Sequence, residues 1–259
     1  MGNISLLNVI LERASVRKFD KDRKIPKAIV QQILDAGIRA PSAGNIQPRT
    51  FIVVKDETLK AKLYSLCENQ AFMKEAPLWI VVCVDLHRHL KAAKLTGVDY
   101  DYTGVLPFTL GVLDVGLSLE NMVIAAEALG LGSVIIGSII EHPEKTSRIL
   151  KLPSCCFPLS ILCIGYPREK PSTREKWGSE IIACTDEYKE IDAGDVLEYW
   201  KRFNFGDLLR QGKEPSKEMV KKLLQKGNYG KAYASHYKEG FIKRANKKLV
   251  DFLSKQSFM

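Results

Sequence analysis

Histidine is scarce in this 259-residue chain, with four in all, and the six cysteines at positions 67, 83, 155, 156, 163 and 184 include no Cys-x-x-Cys pair. The usual spacing of a zinc site or a dithiol redox centre is therefore missing. Cys155 and Cys156 are adjacent but have no histidine nearby, and His87 and His89, flanking Arg88 on a polar segment, read as a solvated turn rather than a ligand pair. No metal is expected. Cys83 and Cys163 lie inside apolar runs, so free, buried thiols are expected. No Ser/His/Asp set or paired carboxylate presents itself as a catalytic group. Long apolar runs are also missing: the longest, residues 78–84, is far short of the roughly 20 residues that cross a bilayer. The first residues lack the basic-then-apolar order of a signal peptide. A cytoplasmic protein without a membrane partner is the expectation.

Charge is present but uneven. The formal net charge is +9, yet residues 203–259 alone hold 13 Lys and Arg against 5 Asp and Glu. The rest of the chain is close to neutral. A basic tail of this kind is ordinarily the solvated side of amphipathic helices, and nucleic acid is not among the expected partners. The spacing of Tyr229, Tyr233, Tyr237 and Phe241 fits a core-facing helical stripe better than a base-stacking surface.

Apolar spacing sets out the elements. Residues 5–13 read as a helix; a second follows Pro26, with Ile29, Ile33, Ala36 and Ala40 on one face. FIVV (51–54) and LWIVVCV (78–84) are too uniformly apolar for half-exposed strands and are expected inside a sheet. Residues 114–129 carry Leu119, Met122, Val123 and Ala126 along one stripe and read as a central, largely buried helix. SVIIG (133–137) and FPLSILCIGY (157–166) supply further strands, with a short helix opened by Pro143 between them. The class is α/β or α+β around one sheet. After about residue 185 the texture becomes helical and basic, from DEYKEIDAGDVLEYWKRF onward, so the chain divides into 1–185 and a C-terminal extension, 186–259.

Three stretches carry chemistry. In RASVRKF (13–19), Arg13 and Arg17 are four apart, expected on one helical face, with Ser15 between them; guanidinium forks and a hydroxyl suit a phosphate monoester. APSAGNIQPRT (40–50) is almost free of charge but rich in hydrogen-bonding groups: Ser42, Asn45 and Gln47 both donate and accept, and Gly44 lets a ligand edge approach the backbone. A flat, neutral heteroaromatic ring matches that mixture. LGLGSVIIGS (129–138) misses the G-x-G-x-x-G spacing and runs helix then strand, which excludes a Rossmann fingerprint; Gly137 still ends a strand where a backbone N–H can meet a ligand. Arg174 and Lys176, in STREKW, offer further cations beside an anion.

In this order, RASVRKF, APSAGNIQP, AAEALGLGSVIIGSI and GYPREKPSTREK resemble the FMN-dependent nitroreductase family over about residues 5–182. The resemblance implies an α+β fold with a central, mainly antiparallel sheet flanked by helices. It also implies an intertwined homodimer with two FMN molecules at the interface. On it, Arg13, Ser15 and Arg17 hold the phosphate, ribityl chain and pyrimidine edge, assisted by Arg174 and Lys176. Pro41, Ser42, Ala43 and Asn45 line the ring from the partner chain, with Gln47 supporting them. Ile136 and Gly137 pass the flavin N(5) edge, and Asn69 or Gln70 stands nearby. NAD(P)H reduces the flavin and a nitroaromatic, quinone or similar small acceptor reoxidises it in a ping-pong cycle, leaving no catalytic side chain to assign. The family commonly has an aromatic residue where this chain has Arg49. Residues 95–108 fall at the variable lid, making Tyr100, Tyr102 and Phe108 the expected substrate-stacking residues. The basic extension is longer than the usual family tail. Two other readings stand beside this one: a specialised relative of the reductive-dehalogenase or flavin-fragmenting kind, and a flavin-bearing binding protein with a basic interaction tail.

Overall fold

Residues 78–85 show why a strand can be apolar throughout. Leu78, Ile80, Val82 and Val84 point into one hydrophobic cluster, and Trp79, Val81 and Cys83 into another on the opposite face. With both faces covered, the period-two alternation of side chains leaves no polar face. In this computed structural model, which describes residues 5–226, 229–231 and 239–259, that strand is β2 (Leu78–Asp85). It pairs with β1 (Arg49–Val54) and β4 (Cys156–Gly165), and β4 pairs with β3 (Gly132–Ile136); all pairings are antiparallel and the order is β1-β2-β4-β3.

The α+β architecture expected from the sequence is present, with two differences. β1 was expected inside the sheet and is instead an edge strand. Its apolar character comes from two-sided cover rather than a central place: Phe51 and Val53 pack on one cluster and Ile52 on the other. The long helix α5 spans Val105–Ala128, nine residues earlier than expected. Gly104, at φ 94°, turns the chain into it, and Pro107 falls in the first turn, where no N–H partner is needed.

Helices α2 (Lys27–Ile38) and α5 cover one face of the sheet together with Phe252, Leu253 and Phe258 from the chain's end. Gly37 brings the two helices close, since a Cβ there would lie 2.8 Å from Met122 Cγ. Buried residues on α5 recur at 111, 114, 115, 118, 119, 122, 123 and 126, the spacing of one helical face. By length and composition α5 is apolar enough to cross a bilayer; here it is packed on α2 and the sheet. Helix α1 (Leu6–Glu12) lies against α5. The other face carries α3 (Glu57–Leu66), the 3-10 turns Ala71–Glu75 and Ser138–Glu141, and α6 (Pro143–Leu150). Helix α4 (His87–Leu95) follows β2, so His87 and His89 open a helix rather than a turn.

The described chain forms two compact units, Met1–Pro171 with Ala245–Met259, and Ser172–Arg244. The second holds α7 (Ser179–Ile182), α8 (Ala193–Arg210) and α9 (Lys217–Lys226); α10 spans Glu239–Lys255. Helix α8 begins later than expected because Asp192 caps it. The Asp192 carboxylate accepts from Asp195 N–H at 2.9 Å, and Asp195 reciprocates at 3.0 Å, a capping box that fixes the start. Within this unit Trp177 stacks on Tyr199 with centroids 4.1 Å apart, and Tyr229 meets both edge-on. Of the expected aromatic stripe, Tyr233 and Tyr237 lie outside the described residues.

Candidate functional site

Arg13, Ser15 and Arg17 do not share a helical face. Helix α1 ends at Glu12, Arg13 takes φ −59°, ψ 138°, and residues 13–18 run without regular structure. What fixes them is β3: Val16 N–H donates to Ser133 O at 2.9 Å, and the Val16 side chain packs on Gly132. Arg13 Nε is buried and has no partner among the described residues, an orphaned donor in a cation-bearing segment. Nearby, burial raises the pKa of the Glu127 carboxyl, opposed by the Arg13 charge and by the Ser133 backbone N–H.

The far end of β3 comes close to the same segment through the turn Ala71–Glu75. The Arg17 guanidinium lies 5.7 Å from the centroid of Phe72. Gln70, two residues earlier, donates to Ser138 Oγ at 3.2 Å, immediately after Gly137. Gln70 is thus directed at this strand end, while Asn69 offers its carbonyl to Tyr64 Oη at 2.8 Å. Ile136 is buried, and its carbonyl accepts from Ser160 Oγ at 2.9 Å. A Cβ at Gly137 would meet nothing within 4 Å, so its backbone faces open space.

The neutral loop is built differently. Its 3-10 turn Ala43–Asn45 includes Gly44 at φ 56°, and Asn45 and Gln47 both take φ 54°. Left-handed backbone costs a non-glycine residue on the order of 1–3 kcal/mol, less for Asn, so something must hold it. Two buried charges do. Asp114, from α5, accepts from Ser42 Oγ at 2.5 Å and Ala43 N–H at 3.3 Å. Arg49 donates to Ile38 O and Ala40 O, both at 2.8 Å, to Pro41 O at 3.3 Å and to Ser118 Oγ at 2.8 Å. Burial lowers the Arg49 pKa from its ordinary value and the Asp114 charge opposes that. Ser42 Oγ also accepts from Gln47 N–H at 2.8 Å, and Gln47 Nε2 donates to Asn45 Oδ1 at 3.2 Å. Pro41, Ser42, Asn45, Gln47 and Arg49 line an open cleft of about 690 Å³.

That cleft includes none of Arg13, Ser15, Arg17, Ile136 or Gly137. The loop leads into β1 and the arginine segment docks on β3, the two opposite edges of the sheet, three strand spacings or about 14 Å apart. One chain thus groups the predicted residues into two sets rather than one. Arg174 and Lys176 are exposed in the second unit, on either side of Glu175, which pairs with Arg210.

Of the expected lid aromatics, Phe108 is in the core, 5.4 Å from Phe157 and 4.8 Å from Phe258 by ring centroid. Tyr100 and Tyr102 stack on each other at 5.7 Å, and both meet His89 edge-on. The residues that sequence reasoning missed are Asp114 and Ser118. Their signal was present: a carboxylate and a hydroxyl one turn apart on the buried stripe of an apolar helix call for a buried polar partner. Arg49 is that partner.

A sheet covered on both faces by helices, with polar groups gathered at its two edges, makes this an α+β fold. The chain belongs to the nitroreductase family, whose model matches residues 10–166. It is 30% identical over 193 residues to an FMN reductase [NAD(P)H] of Bacillus subtilis, covering 72% of this chain and 76% of that one. It is 25% identical over 254 residues to an oxygen-insensitive NADPH nitroreductase of Salmonella typhimurium, covering 97% of each. The solved structure of NfrA2 from B. megaterium superposes with a TM-score of 0.83 at 26% identity, over 98% of this chain and 97% of that one. Both near-full-length matches extend past Ile182, so the basic segment has a counterpart in these relatives.

Proposed function

We propose that this protein is an FMN-dependent oxidoreductase that takes electrons from NAD(P)H and passes them to a nitroaromatic, a quinone or a similar small acceptor in a ping-pong cycle. The observation that carries the reading is the docking of the arginine segment along β3, which sets cations beside a strand that ends in an uncovered glycine. From Ser133, where Val16 is bonded, to Gly137 is four residues of strand, about 13 Å, a span suited to a tricyclic ring with a ribityl phosphate. The residues present fit that group. Arg13 has a buried donor to give, Arg17 follows in the same segment with Nη1 donating to Ser15 O at 3.4 Å, and Gly137 has no side chain to block a flat ring.

Arg13, Ser15 and Arg17 would hold the phosphate, ribityl chain and pyrimidine edge. Ile136 and Gly137 border the N(5) edge, and Gln70 orients Ser138 next to it. Pro41, Ser42, Ala43 and Asn45, braced by Gln47, close the ring from a second copy of the chain. FMN held there would supply the redox chemistry, carrying electrons from the nicotinamide to the acceptor. The protein's share is to bind, orient and exclude water, and no side-chain acid or base is required.

Two features support a homodimer. The two groups of site residues lie on opposite edges of one sheet, so a second copy is needed to bring unlike groups together. Leu6, Leu7, Ile10 and Leu11 on α1, with Leu106, Leu113 and Leu117 on α5, also expose apolar surface of the kind that marks an interface. On this reading residues 1–185 are the flavin-binding part, completed by residues 245–259, which pack into its core; the helical stretch between them widens the contact with the second copy, and the protein works in the cytoplasm.

An absorbance spectrum of the purified protein, followed by anaerobic titration with NADH and with NADPH, tests the proposal. Flavin bands bleached by one nicotinamide and restored by a quinone are expected. A colourless protein that takes up no added FMN would overturn it.

A further inference from the structure

We infer that Arg49 is a positioning residue for the ring-facing loop, setting the conformation of residues 41–47 through the carbonyls of Ile38, Ala40 and Pro41 and through Ser118. The inference rests on the flavin reading above and assigns to Arg49 and Ser118 the work of holding the loop.

The hydrogen-bond inventory of Ser42 leads to it. A serine hydroxyl has one donor and two acceptor positions. The donor goes to Asp114 and one acceptor position to Gln47 N–H. Ser42 therefore has no proton to offer a ligand carbonyl and acts as a latch inside the loop. Backbone donors are spent in the same way: Ala43 N–H goes to Asp114, Asn45 N–H to Ser42 O and Ile46 N–H to Ala43 O. The exposed Asn45 keeps its side-chain NH2 for a ligand, since its Oδ1 already accepts from Gln47. That group reaches a useful position only while Asn45 stays left-handed at φ 54°.

Arg49 fixes where this latch stands. Its Nη1 serves Pro41 O and Ser118 Oγ, and its Nη2 serves Ile38 O and Ala40 O. The end of α2 and the start of the loop are thereby tied to one rigid plane. Ser118 Oγ in turn donates to Asp114 O at 2.9 Å, so the residue that holds Ser42 and the residue that holds the carbonyls meet at one hydroxyl. A lysine carries a point charge with three donors and no planar fork, and cannot reproduce that set of directions. At 6% exposure, Arg49 has no solvent to fall back on.

The test compares wild type, Arg49→Lys and Ser118→Ala as flavin-free proteins. FMN affinity is read by quenching of flavin fluorescence, ring environment by visible-region circular dichroism of the bound flavin, and folding by the thermal midpoint before FMN is added. Arg49→Lys is expected to weaken FMN binding about ten-fold or more and to alter the visible dichroism. Ser118→Ala, whose side chain does not itself line the cleft, is expected to shift both in the same direction by about three-fold or more, with a thermal midpoint near wild type. If Arg49→Lys does not fold, Ser118→Ala decides by the same criterion. Affinity within about two-fold of wild type and unchanged dichroism in the folded variants, whatever their midpoints, would assign Arg49 to packing and overturn the inference alone. Wild-type protein that takes up no FMN would overturn both the inference and the reading it rests on.

Discussion

Val16 rests on the bare Cα of Gly132: a Cβ built there would lie 2.9 Å from Val16 Cβ and closer still to its Cγ2. The contact holds the arginine segment against β3, because Val16 is also bonded to Ser133 through its N–H. Gly132→Ala is therefore expected to cost about 1–3 kcal/mol through overpacking and to move Arg13 and Arg17 off their strand. Urea unfolding and FMN titration should both report the change, and a variant unaltered in both would refute the docking.

Phe258 is fully buried, with its ring 4.8 Å from Phe108 and 6.5 Å from Phe157. The preceding residue, Ser257, accepts from Gly104 N–H at 2.9 Å. The chain's end thus plugs the core beneath the start of α5. Phe258→Ala should destabilise by about 3–5 kcal/mol, measured by denaturant midpoint. A loss below about 1 kcal/mol would mean that the plug is dispensable.

Thiol reactivity should be single-site. Cys184 is exposed, and the other five cysteines are buried. Burial pushes Cys67 up to about 12 from an ordinary 9.0 and raises Cys163 further, so neither is a thiolate near neutrality. One rapid alkylation per chain is expected at pH 8, on Cys184 by peptide mapping. The linkage has a definite sign. The unfolded chain ionises Cys67 near 9.0 while the folded chain holds its proton to about 12. Its contribution to stability is therefore complete below pH 9 and is lost as pH rises from 9 to 12. The thermal midpoint should fall across that window, and less steeply in Cys67→Ala.

Leu113, on α5, is 56% exposed, and Leu7, on α1, 59%. If these faces meet a second copy, Leu113→Glu introduces charges into an apolar contact that cannot pair them. A shift from dimer to monomer by light scattering is expected, with loss of bound FMN. A variant that remains a flavin-loaded dimer would move the interface elsewhere.

On the proposed reading, Arg17→Gln removes one positive charge from beside the flavin. The reduced, more negative form loses the most, so the midpoint potential should become more negative by about 30–60 mV. That corresponds to about 1.4–2.8 kcal/mol for a two-electron couple. Spectroelectrochemical titration checks it, and an unchanged or raised potential would remove Arg17 from the ring's vicinity.

Much of this was legible in the chain itself. The buried stripe of α5 through Leu119, Met122, Val123 and Ala126 follows from helical spacing, and the strands at 78–84 and 157–166 follow from their apolar, β-branched content. The pairing of those strands and the place of β1 at an edge did not follow, because an edge strand covered by helices on both faces reads like a central one. Local chemistry misled in two places: Arg13 and Arg17 kept helical spacing after the helix had ended, and Phe108 resembled a lid residue until Phe258 returned to meet it.

By itself the sequence determined the class of the fold and the segments that bear cations and amides, because periodicity and residue type act over a few neighbouring positions. Tertiary structure decided which charges are buried together. Arg49 and Asp114 are 65 positions apart in the chain, and only the packing of α5 under the loop makes them its two supports. It also decided that the arginine segment and the loop stand on opposite edges of one sheet, since strand order is set by long-range pairing that no local spacing encodes.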